Sequence, residues 1–85
     1  MTISYQLNQQ LFNKSLGNAI RANRQREDIS QETLAERAGV TRRFIQELEN
    51  GRSNISMQTL YALSQALNTS LTDICTQIET AYHNQ

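Results

Sequence analysis

Apolar residues recur at helical spacing in five stretches of this chain, each introduced by a serine or threonine. After Ser15, residues Leu16, Ala19, Ile20 and Asn23 share one side of a helix, and Arg21, Arg24 and Arg26 project around the other. After Ser30 come Leu34, Ala35 and Ala38. After Thr41, Ile45 and Leu48 turn inward and leave Arg42, Arg43, Gln46 and Glu47 outward. Ser56 opens a fourth pattern with Met57, Leu60, Leu63, Ala66 and Leu67 inward, and Ser70 a fifth with Leu71, Ile74, Cys75, Ile78 and Tyr82. A hydroxyl at such openings accepts a hydrogen bond from an orphan backbone N–H of the first turn, and Asp73 completes a capping arrangement with Ser70. Glu27-Asp28, Gly39, Gly51 and Asn68 stand where the patterns stop. Gly39 takes positive φ without steric cost, so it ends the second helix and lets Val40 drop into the core before the third.

Residues 1–14 are polar and rich in Gln and Asn, with Ile3, Tyr5, Leu7, Leu11 and Phe12 scattered among them. Leu7 and Leu11 are four apart, as in a short helix; an irregular arm that packs its apolar groups on the domain or on a partner fits equally well. The chain thus divides into an extension (1–14), one domain (15–82) and a fraying tail (83–85). With 85 residues, it buries only roughly 60 to 65% of its unfolded surface, which several short helices achieve economically. No proline and three glycines occur, and Ala, Leu, Gln, Glu and Arg dominate the middle of the chain, so the fold class is all-α.

Composition excludes several functions. No stretch reaches the ~20 apolar residues of a membrane span, and the N-terminus lacks the basic-then-apolar order of a secretory signal, so a cytoplasmic protein with no membrane partner is expected. Cys75 is the only cysteine; it forms no internal disulfide and has no companions for a metal site, so no metal and no cofactor are expected. No Ser/His/Asp set, carboxylate pair or phosphate loop points to an enzyme. The formal net charge is zero, but all eight basic residues lie between Lys14 and Arg52, and seven of them are arginine. Residues 57–85 carry only Asp73 and Glu79. Arginine grips phosphate or guanine with two hydrogen bonds, so the basic half suits nucleic acid despite the neutral total.

Two short helices joined at Gly39, with arginines on the first turn of the second, have the outline of a DNA-reading device. Gln31, Leu34, Ala35, Ala38, Gly39, Val40, Ile45, Glu49, Asn50 and Gly51, followed by Thr59-Leu60 in a helix that begins near Ser56, resemble the lambda-repressor-like helix-turn-helix domains of the Cro/C1 (XRE) type. The resemblance covers residues 15–74 and implies a compact five-helix fold whose third helix, about Thr41 to Asn50, enters the major groove of double-stranded DNA. It implies that Gln31, Thr41, Asn50 and Arg52 bind phosphate and that Arg42, Arg43 and Glu47 read base edges, with Gln46 near enough to contribute. It also implies a structural ion pair between Arg24 and Glu49. Two departures stand out: Ile55 occupies a position that often carries proline, and the extension has no counterpart in the core pattern.

The chemistry of these side chains agrees. Arginine offers two donors to guanine O6 and N7 and glutamate accepts from cytosine N4, which favours G·C pairs. One copy reads half a site, and relatives of this type bind two half-sites as two-fold dimers. Ile74, Ile78 and Tyr82 of the fifth helix, with Leu7 and Leu11 of the extension, have apolar groups to spare and are expected to build a homodimer interface. The leading expectation is a stand-alone transcription regulator on a palindromic operator; the length resembles small phage repressors and restriction-modification controllers. The alternatives are an antitoxin that binds DNA and a toxin or other protein partner, and an interaction module that has lost DNA binding.

Overall fold

A computed structural model describes residues 5–84. They form five helices: α1 (Gln9–Arg26), α2 (Gln31–Ala38), α3 (Arg42–Glu49), α4 (Met57–Ala66) and α5 (Leu71–His83). Each start is fixed locally. The side chains of Asn8, Ser30, Thr41, Ser56 and Ser70 all accept from the backbone N–H three residues on. Four ends share one device. Asp28, Gly39, Gly51 and Asn68 take left-handed backbone conformations with φ of 56°, 73°, 74° and 55°. The following N–H then reaches back to close each helix, as in Val40 N–H to the Ala35 carbonyl at 3.0 Å and Arg52 N–H to that of Glu47 at 2.9 Å.

The five helices bury one core made of Leu16, Ala19, Ile20, Leu34, Ala35, Ile45, Leu48, Leu60, Leu63, Ala66, Leu67, Ile74 and Ile78. Val40 and Ile55 pack against it from the turns, so an apolar residue at 55 is held by the core. α1 lies along both α5 and α3, α2 packs on α3 and α4, and α4 closes on α5. Among the described residues no helix is long and apolar enough to cross a membrane.

Three expectations need correction. The first helix starts at Gln9, not after Ser15, so the boundary expected between residues 14 and 15 falls inside α1. Ser15 is buried in mid-helix and donates its hydroxyl to the Leu11 carbonyl at 2.9 Å. The extra turns are held by contacts distant in sequence: Phe12 meets the ring of Tyr82 edge to face at 5.9 Å, and the Tyr82 hydroxyl accepts from Asn8 N–H at 3.0 Å and from the Tyr5 hydroxyl at 2.9 Å. Second, the longer α1, about 27 Å at 1.5 Å per residue, covers α5. Ile74 and Ile78, at 0% and 4% exposure, are therefore core residues and not an interface, and Leu11 and Tyr82 are half-buried. Third, Met57 is 61% exposed at the first position of α4, where the chain has just left the core surface. Ile3 and Gln85 lie outside the described residues.

Candidate nucleic-acid interface

α3 is held from behind and left bare in front. Its inner face places Ile45 and Leu48 at 0% exposure. Its first turn presents Arg42 and Arg43 to solvent, and Gln46 and Glu47 follow one turn on, half-buried. Among the described residues no ion pair or side-chain hydrogen bond engages these four. Thr41 caps α3 by accepting from Phe44 N–H at 3.0 Å, which leaves its hydroxyl hydrogen free to donate. Asn50 and Arg52 are exposed beyond the C-terminus of α3, on either side of Gly51. The structure thus gathers the expected base-reading and phosphate-binding residues around one helix and its two ends, with Gln31 at the start of α2.

The back of α3 is fastened through one carboxylate. The Glu49 side chain is 1% exposed, and Arg24 meets it with two parallel bonds, Nε to Oε2 at 2.7 Å and Nη2 to Oε1 at 3.0 Å. That is the bidentate geometry in which an arginine pair is strongest. Arg24 also donates through Nη1 to the Ile29 carbonyl at 3.0 Å, so α1, the α1–α2 connection and α3 are tied at one point. The ion pair expected between Arg24 and Glu49 is present. Burial opposes ionisation of Glu49, but hydrogen bonds from Arg24, Gln31 and Arg21 outweigh it and hold the carboxyl below the usual carboxylate range. The same hydrogen bond to Glu49 keeps the Arg24 guanidinium above its already high ordinary value.

Two further residues belong to this arrangement, and their sequence positions do not announce their partner. Arg21 donates from Nε to Glu49 Oε1 at 3.4 Å and from Nη2 to the Glu49 backbone carbonyl at 3.2 Å. α3 has no basic residue in its own last turn, so Arg21 supplies the cation that its C-terminal dipole favours. Gly17 is the second: a Cβ there would collide with the carbonyl oxygen of Leu48. Only hydrogen at this position lets α1 approach the backbone of α3 so closely. Gly17, Arg21 and Arg24 follow one another at four and three residues on a single helical face, a spacing that marks a contact stripe but is silent about its partner. Gln31 is also more committed than expected, because its Nε2 donates to Glu49 Oε1 at 3.1 Å.

The surface between the N-terminal arm, α4 and α5 has another character. Tyr5, Leu7, Phe12, Met57, Leu60, Cys75 and Tyr82 line a mainly apolar hollow of about 660 Å³ between the N-terminal arm, α4 and α5. Tyr5, Leu7, Met57 and Tyr61 are the large hydrophobic residues left exposed among the described residues, and the first three line this hollow. Tyr61 lies one turn beyond Met57 on α4.

Comparison with known proteins agrees with this geometry. The helix-turn-helix family model HTH_3 matches residues 20–74. The chain is 37% identical over 62 residues to the control protein C.SmaI of Serratia marcescens, covering 73% of this chain and 74% of that protein. Among solved structures it superposes on the clp gene regulator ClgR of Corynebacterium glutamicum with a TM-score of 0.82 and 28% identity, covering 87% of this chain and 79% of the other. It superposes on the restriction-modification controller protein C.AhdI of Aeromonas hydrophila with a TM-score of 0.71 and 29% identity, covering 73% and 94%. The matched segment contains the turn closed by left-handed Gly39 and the helix that carries Arg42 and Arg43, and the chain belongs to the Cro/C1 (XRE) type of the helix-turn-helix family of DNA-binding transcription regulators.

Proposed function

We propose that this regulator binds a two-fold symmetric operator in double-stranded DNA as a homodimer, with α3 of each copy in a major groove. One observation carries the reading: Arg42 and Arg43 stand exposed and unpaired on the first turn of a helix whose opposite side is locked by the buried Glu49. An arginine with no internal partner keeps all its donors for a ligand. In this reading Arg42, Arg43, Gln46 and Glu47 contact base edges. Glu47 adds specificity more than affinity, because it repels a misplaced phosphate. Gln31, Thr41, Asn50 and Arg52 position the domain on the backbone.

The dimer face in this reading is the exposed apolar side, with Met57 and Tyr61 of α4 beside Tyr5 and Leu7 of the arm. It replaces the buried Ile74 and Ile78. This side holds no lysine or arginine from residue 57 onward, so it suits a protein surface better than phosphate. A neutral total charge gives one copy little non-specific affinity, which makes pairing of half-sites important. Selection of duplexes from a random pool by the wild-type chain tests the proposal. The expected product is an inverted repeat with half-site centres about 34 Å apart; a pool that shows no enrichment sinks the reading. Light scattering that finds only monomer at high micromolar concentration would remove the dimer.

A further inference from the structure

Four donors from three residues converge on the Glu49 carboxylate, and Gln31 is the uncharged residue among the three. A carboxylate is acceptor-only, so an ionised Glu49 dictates which end of the Gln31 amide faces it: the NH2 group turns in and the carbonyl oxygen turns elsewhere. One N–H of that group is engaged, at 3.1 Å, and the other is not. The side chain sits on the first residue of α2, where backbone N–H groups and the helix dipole favour an anion, and it is half-buried, not enclosed. A free glutamine samples many rotamers and surrenders them on contact with a ligand; one already tethered to a buried charge has surrendered them in advance.

We propose that Glu49 is a positioning residue for DNA binding: it tethers the Gln31 amide through one N–H so that the second is presented, already ordered, to a DNA phosphate. The inference rests on the phosphate role proposed for Gln31. It gives the buried clamp a task besides fastening α3, since the same carboxylate orders a contact on α2. Reading helix and phosphate contact are then set by one group, and disturbing Glu49 disturbs both.

The test begins with the intact wild-type chain. In ¹⁵N-resolved NMR of the free protein, one Gln31 side-chain amide proton is expected to exchange more slowly with water than those of the exposed Gln58 and Gln65. On addition of the duplex selected by the wild-type protein, both protons become slow. Affinities are then compared for wild type, Gln31→Ala, Glu49→Gln and the double variant, each at a protein concentration corrected for its folded fraction. Gln31→Ala is expected to weaken binding about tenfold, the scale of a hydrogen bond to a charged group. The same substitution made in Glu49→Gln is expected to cost less than about threefold, because the tether is already gone. If no duplex is selected or bound, the DNA-reading proposal itself fails. If a duplex binds but only one Gln31 proton is ever slow, or neither is, or the two substitutions add without coupling, DNA reading stands and the positioning role falls. The proton measurement needs no variant, so it decides the matter even if Glu49→Gln does not fold.

Discussion

The half of the molecule built from α1, α2 and α3 and the half built from α4, α5 and the N-terminal arm are held by different physics. In the first, a buried carboxylate gathers Arg21, Arg24 and Gln31, and Gly17 brings two helix backbones into contact. In the second, Tyr82 fastens the arm with two hydrogen bonds to its hydroxyl and sets its ring against Phe12 of α1, and apolar side chains are left in solvent. A charged clamp is directional and fixes the orientation of α3. An apolar surface is non-directional and accommodates a partner. The difference fits a reading edge that must be rigid and a pairing face that must be available.

Substitutions sharpen the contrast. The largest effect is expected from Glu49→Ala, which strands Arg24, a side chain only 15% exposed, without its partner. It should lose about 3 to 5 kcal/mol in urea unfolding, whereas Leu7→Ala on the other half should stay within about 0.5 kcal/mol. Gly17→Ala comes next. Its methyl group meets the Leu48 carbonyl, which is backbone and does not swing away. A loss of about 2 kcal/mol is expected even though alanine is the better helix former.

Acid provides a third test. Folding lowers the proton affinity of Glu49, so the unfolded chain takes up its proton first as pH falls. The stabilisation from Glu49 is complete above the ordinary carboxylate value, about 4.3, and disappears as pH drops from there through the lower folded value. Denaturant curves for wild type and Glu49→Gln should therefore lie far apart at neutral pH and draw together in acid. A constant gap would show that the carboxylate is not ionised in the fold. Smaller again is Tyr82→Phe, which removes the acceptor for Asn8 N–H and should cost about 1 kcal/mol. Met57→Ser with Tyr61→Ser should barely move the unfolding of one copy, yet raise the dimer dissociation constant at least tenfold in sedimentation equilibrium.

The elements most legible in the sequence were those with local causes. Ser30, Thr41, Ser56 and Ser70 cap their helices through bonds spanning three residues, and Gly39 and Asn68 turn the chain by their own backbone freedom, so the residue type carries the message. The Arg24–Glu49 pair came from family resemblance, since nothing in a spacing of 25 residues announces a contact. What stayed hidden has non-local causes. The first six residues of α1, Gln9 to Lys14, carry only Leu11 and Phe12 as apolar residues, and the ring that holds Phe12 belongs to Tyr82, seventy residues away. A first helix that starts only after Ser15 would leave Ile78 uncovered; the added turns of α1 bury it, so the interface expected there does not exist. The partners of Gly17 and Arg21 are hidden for the same reason, because the backbone they meet lies in α3.

In the proposed complex α3 reads bases through Arg42 and Arg43 while its buried side only holds it in place. The affinities of wild type, Arg42→Ala and Arg43→Ala for the selected duplex and for every single-base variant of one half-site, at fixed salt, separate these two roles. Each arginine variant is expected to lose discrimination of about 1 to 3 kcal/mol at one or two particular positions and to keep the wild-type preference elsewhere. Unchanged affinity and unchanged preference in both variants would contradict base reading by α3.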